Sequence, residues 1–519
     1  MTGDGHEPAG RERLAAIDVG SNSIRLLVAE WDPQTGLAVI DEVKEHPRLA
    51  TGLAKTGRLD DEAMDRAVAA LRRMHEVTQR RGARRLAAVA TSAVREAENG
   101  PEFVHRVQSE LGIPLHVIDG PTEAQLSYKS VAHHFRLQNE RSLVADIGGG
   151  SLELVGAVDG VVELNLSLPL GAVRLTEAHL PGRRPSWREV QDLRKVVRRK
   201  LRKAFDAAEW NAPSVIGSGG TFTNLGRMAI ARRGLPIPDA VHGTAVGTGE
   251  VEGLLEWLTT KSPAERQQIP GLSPYRADII LAGLTVTAEL LELVSARKVT
   301  VSAFGIREGL LLDMVGGDGV NAPQDPLRLI REFCERCQTD RRHVEQVRAL
   351  ALQLLDQLGP ALGCEPEDRA LLEAAGLLHD VGQLVSYRRH HRHSYQLIMN
   401  AERLNLSARD RAVVALVSRY HRRSGPSRKH GEFDALAAED QLMVRRLSAL
   451  LRVADGLDRG HTAIVEKVQV ELTDDRCTIR AAPRYMDADI SLEVWGADRK
   501  KDVLEKELDR EVVILQGVG

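Results

Sequence analysis

Two stretches of this 519-residue chain set a carboxylate two residues before a glycine, with a serine close behind. In one, the apolar Val144-Ala145 leads into Asp146-Ile147-Gly148-Gly149-Gly150-Ser151, and a second acidic residue, Glu153, follows. In the other, Ala15-Ala16-Ile17 leads into Asp18-Val19-Gly20-Ser21-Asn22-Ser23. Each reads as a strand, a tight turn and a second strand. Glycines let the backbone turn at positive φ and gather several N–H groups on one anion. Asp18, Asp146 and Glu153 would flank that anion, where they could hold a divalent metal or position a water. A single loop of this kind is also what an ordinary glycine hairpin looks like. Repetition argues otherwise: two copies suggest a duplicated unit with both loops facing one cleft. A third loop, Gly217-Ser218-Gly219-Gly220-Thr221, follows another short apolar run. Three such loops suit a ligand with several phosphates.

These elements need a scaffold. Arg85–Ala90 reads as a buried strand that delivers Thr91-Ser92-Ala93-Val94-Arg95 to its carboxyl end, where active residues of open α/β sheets gather. Arg95 there either reaches a phosphate or caps a helix. Leu115–Ile118 is the next strand, and Asp119-Gly120-Pro121-Thr122-Glu123-Ala124 turns into a helix. Glu123 at a helix start complements the dipole, although its place between the two loops suggests more. Glu62–Arg81 shows helical spacing of Ala63, Ala67, Leu71 and Met74. A helix expected over 183–203 is dense in Arg194, Lys195, Arg198, Arg199, Lys200, Arg202 and Lys203. That face is either simply solvated or a guide for a long polyanion.

Together with Gly305-Ile306-Arg307-Glu308-Gly309, the three loops resemble the exopolyphosphatase / guanosine pentaphosphate phosphatase family over roughly the first three-fifths of the chain. The resemblance implies an α/β fold of two actin-like (RNase H-like) halves around a cleft. Residues 12–135 with a return helix at 303–314 would form the first half, and 136–302 the second. It implies Glu123, before Ala124, as the catalytic base, although many members carry a glutamate where this chain has Thr122. It implies phosphate contacts from Asp18, Gly20, Ser21, Asn22, Ser23, Arg95, Gly148, Gly149, Gly150, Ser151, Gly217, Ser218, Gly219, Gly220 and Thr221. Mg²⁺ or Mn²⁺ would sit at Asp18, Asp146 and Glu153. The expected reaction is release of terminal orthophosphate from inorganic polyphosphate, or trimming of guanosine pentaphosphate at its 5′ end, by a homodimer. A nucleotide-responsive sensor of the same fold is the rival from another class, and an intact Glu123 argues against it.

Composition bounds the rest. A net charge of −3 gives no global pull toward nucleic acid or membrane, and 3% aromatics provide few stacking platforms. The polar N-terminus lacks the core of a signal peptide, and no apolar run approaches a membrane span, so a cytoplasmic protein is expected. Four cysteines cannot staple a chain of this length, and Cys334 and Cys337 read as a structural pair within a helix.

Val315–Pro326, rich in glycine and proline, marks a linker. Beyond it the pattern is helical over 325–464, then alternates like strands over 465–519, a small α/β tail. The helical stretch resembles the HD-phosphohydrolase pattern. His343, His379, Asp380 and Asp455 would hold a first transition metal, and His393 and His421 would serve a second. Arg388, Arg389, Arg422, Arg423, Arg428 and Lys429 make the surroundings basic.

Overall fold

A computed structural model describes residues 11–517 apart from 33–35, 136, 138–140, 181–183, 212–213, 238–240, 317–326, 402–403, 405 and 486–487. Most of the expected linker lies outside the described residues. The chain divides into two units, residues 1–233 with 241–324 and residues 234–240 with 325–519.

The first unit is built on two sheets that repeat one plan. Strands β1 (Glu12–Val19), β2 (Ile24–Asp32), β3 (Gly36–Glu45), β4 (Arg85–Ala90) and β5 (Leu115–Val117) lie in the order β3-β2-β1-β4-β5. Strands β6 (Arg141–Ile147), β7 (Leu152–Val158), β8 (Val161–Leu168), β9 (Ser214–Ser218), β10 (Ala245–Gly247) and β11 (Lys298–Val301) lie in the order β10-β11-β9-β6-β7-β8. In each sheet an antiparallel hairpin pair runs outward from the first strand, and parallel strands add on its other side. The second sheet adds only the short antiparallel β10 at its edge. This duplication bears out the expectation of two like halves.

Strand β1 is buried on both faces, as a central strand should be. Its Ala15, Ile17 and Val19 join a core with Met64, Ala67, Leu71 and Phe103, while Leu14 and Ala16 join one with Leu126, Leu310 and Leu311. The last two belong to the return helix, Ile306–Met314. Gly309 lets that helix lie against the helix Gly120–His134, since a Cβ there would fall 2.1 Å from the Leu126 carbonyl oxygen.

The basic helix spans Trp187–Ala204 and opens on a Ser186/Glu189 capping box. Val190, Leu193, Val197 and Leu201 bury its apolar stripe. Two of its arginines are not free for a ligand. Arg194 is clamped by Glu252, Glu289 and Glu292, and Arg198 by Glu289 and Glu292. Only Arg199, Arg202 and Lys203 remain exposed on its C-terminal half without such partners among the described residues.

The second unit packs helices Arg341–Leu362, Asp368–Leu378, His390–Asn400, Ala408–Tyr420 and Ala438–Gly456. Val344, Val347, Leu350, Ala351, Leu354, Leu355 and Leu358 are all buried, as their spacing predicts. The tail begins at Val465 with β12 (Val465–Leu472), β13 (Arg476–Pro483) and β14 (Glu511–Gln516). It shares one apolar core with the helices, through Val465, Val468, Cys477 and Ile479. Cys334 and Cys337 are free and buried, and the Cys334 thiol donates to the Leu377 carbonyl.

Candidate active site

The two carboxylate loops share one local geometry. Asp18 and Asp146 each stand one residue before the end of a central strand. In the first loop Gly20 N–H donates to Ser23 O at 3.1 Å, and in the second Gly148 N–H donates to Ser151 O at 3.0 Å. The Gly148–Gly150 carbonyls accept from Ala172, Val173 and Gly171 N–H at 3.0, 2.9 and 3.2 Å. This pins the loop by its carbonyl side and leaves the Gly149 and Gly150 N–H groups as donors for a ligand. Close approach explains the glycines. A Cβ at Gly150 would fall 1.8 Å from Ser92 Oγ, and one at Gly149 would fall 2.7 Å from Ser21 Cβ.

Both loops line a narrow cavity of about 90 Å³ with Glu123, Ser218, Gly219, Gly220, Arg25, Arg276, Arg307 and Glu308. Gly219 takes φ +88°, and a Cβ there would fall 2.3 Å from Asp146 Oδ1. The other two third-loop residues turn away from the cavity. Gly217 faces Phe222, and Thr221 packs against Gly283.

Glu123 lies in the first turn of its helix, which Asp119 caps by accepting from Thr122 N–H at 2.8 Å. It is 5% exposed. Burial, and then the neighbouring Glu153, push its carboxyl well above the usual range despite Arg95. Arg95 is not on the cavity wall. Its Nη1 donates to Glu123 Oε2 at 3.1 Å and to Ile118 O at 2.7 Å, so it orients Glu123. Glu153 is likewise set back, accepts from Ser167 Oγ at 2.9 Å, and is raised to about 8, chiefly by burial. Asp146 Oδ2 accepts from Ser127 Oγ at 2.7 Å. Burial raises Asp18 to about 6 against the pull of Arg25 and Arg307.

Asp18 Oδ1 is buried and makes no hydrogen bond among the described residues. Such an orphaned oxygen beside further carboxylates is the donor chemistry of a hard divalent cation, so these residues fit Mg²⁺ or Mn²⁺.

Four cationic residues near the cavity were given no role by the sequence, although Arg307 lies within the Gly305–Gly309 motif. Arg25 on β2 pairs in register with Asp18, where Glu153 on β7 pairs with Asp146. The signal was present, since Arg25 follows Asp18 at the interval at which Glu153 follows Asp146. Arg276 closes the short turn Pro274–Arg276 and lies flat on Gly220, where a Cβ would fall 2.0 Å from its Nη2. Arg307 is held by Glu42 at 2.7 Å. Lys44 on β3 reaches solvent, yet the protein packed around its ammonium, and then Arg25, Arg276 and Arg307, lower it to about 7.

The second unit gathers its own cluster. His343 Nε2 lies 3.3 Å from His379 Nε2, 3.7 Å from Asp380 Oδ2 and 3.6 Å from Asp455 Oδ1. His421 Nε2 lies 3.7 Å from Asp380 Oδ1. The residue beside it is His390, at 3.0 Å from His421 Nε2 and 3.2 Å from Asp380 Oδ1, and not the expected His393. A short turn over Tyr387–Arg389 resets the phase, so the helix starts at His390 and His393 stays outside both groups of converging donors.

The profile of the Ppx/GppA phosphatase family matches residues 27–317, and that of Ppx/GppA phosphatase domain III matches 327–501. The chain is 32% identical to Exopolyphosphatase 1 of Mycobacterium leprae over 58% of its own length and 88% of the relative's. It is 28% identical to guanosine-5'-triphosphate,3'-diphosphate pyrophosphatase of Aeromonas hydrophila over 91% of its length and 93% of the relative's. Among solved structures, an exopolyphosphatase of Cytophaga hutchinsonii matches with TM-score 0.56 and 27% identity, covering 60% of this chain and all of that one (100%). The Aquifex aeolicus Ppx/GppA family member matches with TM-score 0.51 and 30% identity, covering 59% and 98%. With the second carboxylate loop, Glu123 and the return helix inside the matched span, and the first loop just ahead of it, the chain belongs to the Ppx/GppA phosphatase family.

Proposed function

We propose that this protein is an exopolyphosphatase that removes terminal orthophosphate from inorganic polyphosphate. The observation that carries this reading is the meeting, in one cavity, of Glu123, two glycine loops, the Asp18/Asp146 pair and the cations Arg25 and Arg276. Asp18 and Asp146 would hold Mg²⁺ or Mn²⁺, with Glu153 set behind Asp146 rather than on the cavity wall. When bound, that ion supplies positive charge against the oxygens of the terminal phosphates. The Gly20–Ser23 and Gly148–Gly150 backbones donate hydrogen bonds to the same oxygens, with Arg25 and Arg276 adding charge. Glu123, its carboxyl raised by burial and its position fixed by Arg95, takes the proton of the attacking water. The bond from the terminal phosphorus to its bridging oxygen breaks, leaving orthophosphate and a chain one phosphate shorter.

A second reading, 5′ trimming of guanosine pentaphosphate, is favoured by one observation. The Aeromonas relative named for that nucleotide spans nearly the whole chain, including the second unit. Phosphate release from long-chain polyphosphate, guanosine pentaphosphate and ATP, measured side by side, separates the two. The first reading expects the highest kcat/KM with polyphosphate. A higher value with guanosine pentaphosphate would replace it with the second, and activity with ATP alone would discard both.

A further inference from the structure

Arg95 faces two ways. Through Nη1 it holds Glu123 and the Ile118 carbonyl, and among the described residues it makes no hydrogen bond through Nε or Nη2. Nε and Nη2 form the edge of a guanidinium that takes both oxygens of one carboxylate. Arg95 does not line the cavity that holds Glu123, but it does line a separate groove.

That groove runs between β5, an edge strand of its sheet, and the helix Gly100–Leu111. Its volume is about 750 Å³, within the ~300–1,000 Å³ range of small-molecule pockets. The helix contributes Pro101, Val104, His105 and Gln108, whose spacing sets them on one helical face. Strand β5 contributes Leu115, His116 and Val117, and the buried Val94 and Ala97 complete the lining.

The lining decides the kind of guest. Its apolar members are aliphatic side chains and prolines, with no Phe, Tyr or Trp, so it suits a flexible hydrocarbon chain and not a stacked base. Val117 keeps 44% of its surface exposed, and a hydrocarbon guest removes such surface from water. Charge is set by the same residues. Glu98 is the one carboxylate of the lining, and Arg58 faces it at 3.8 Å. Arg95 is the one Lys or Arg side chain there, so the open charge is its free edge. One guanidinium edge matches one carboxylate, whereas a polyphosphate needs a row of cations.

We propose that this groove is a regulatory site for an aliphatic monocarboxylate of medium chain length, which takes the open edge of Arg95 and thereby slows the reaction at Glu123. The slowing rests on the role given to Glu123 above, and the binding does not. A carboxylate at Nε and Nη2 competes for the positive charge that Glu123 shares, and it draws the guanidinium away from Glu123. The substrate lies in the other cavity and is not displaced.

The test uses the full chain with octanoate as the probe. Ligand-observed NMR titration should give a Kd of about 1 mM or tighter, with acetate and octylammonium not bound over the same range. Octanoate at saturation should lower kcat for polyphosphate by about half or more and leave KM unchanged. Val104→Trp fills the groove, and His105→Glu sets a like charge at an exposed position on its wall, away from the core. Each should weaken octanoate binding roughly tenfold or more, while activity without octanoate stays as in wild type. No octanoate binding up to about 10 mM overturns the proposal outright. Acetate bound as tightly overturns the hydrocarbon guest, and octylammonium bound as tightly overturns the charge. Octanoate binding that survives both substitutions overturns the groove. A raised KM, or an unchanged kcat, overturns the link to Glu123. A protein that binds octanoate as expected but releases no phosphate from any phosphoanhydride overturns the reaction proposed above and leaves the groove standing.

Discussion

Glu123 is the residue on which the proposed chemistry turns. Glu123→Gln conserves shape and removes the base, so kcat should fall by roughly 10²–10⁴-fold while polyphosphate still binds. Isothermal titration beside a phosphate-release assay separates the two quantities, and a kcat above a tenth of wild type would remove Glu123 from this role. Gly220→Ala tests the cationic wall, because its new methyl must displace the Arg276 guanidinium that lies at 2.0 Å. KM should rise with little change in melting temperature. Lys44 gives a pH signature. Lowered to about 7, it is charged below that pH and neutral above it in the free protein. A polyanion favours the charged form, so KM for polyphosphate should rise above pH 7, by up to about tenfold per unit. Lys44→Arg, charged throughout, should flatten that profile. The glycine loops were legible because each is a local motif of a few residues. Arg276 and Lys44 were not, because only the folded chain brings them near Arg25. His390 was missed for a narrower reason, since a run of arginines and histidines hides where the helix begins.

At the scale of elements, the helix Trp187–Ala204 shows how a charge run misleads. Its capping box and apolar spacing can be read from sequence, and its limits were expected to within a few residues. The partners of its arginines cannot, since Glu252, Glu289 and Glu292 lie 58 to 98 residues away. Glu289 is fully buried beneath Arg194 and Arg198. Arg194→Met combined with Arg198→Met strands that carboxylate and should cost about 3–5 kcal/mol in chemical denaturation. Replacing Arg199, Arg202 and Lys203 together with Gln should leave stability alone. If this face guides a polyanion, the triple change raises KM for long polyphosphate more than for guanosine pentaphosphate and weakens its salt dependence. Equal KM values before and after would make it a solvated face only.

At the scale of the molecule, the two units have separate apolar cores, one set around the paired sheets and one around the helices and tail. Calorimetry should therefore resolve two unfolding transitions. Mg²⁺ with a non-hydrolysable polyphosphate analogue should raise one, and a chelator applied to Mn²⁺-loaded protein should lower the other. A single transition that moves with both additions would contradict this separation.

The repeat is broken at one telling place, where Arg25 stands opposite Asp18 and Glu153 opposite Asp146. Had both halves kept the same residue, the two strand hairpins would be alike, and fewer groups would tell one side of the cleft from the other. A cation on one side and a carboxylate on the other give the cleft a head and a tail. Arg25→Glu would make the two hairpins alike, and under the proposed reaction it should blunt the preference for the end of a phosphate chain over its middle.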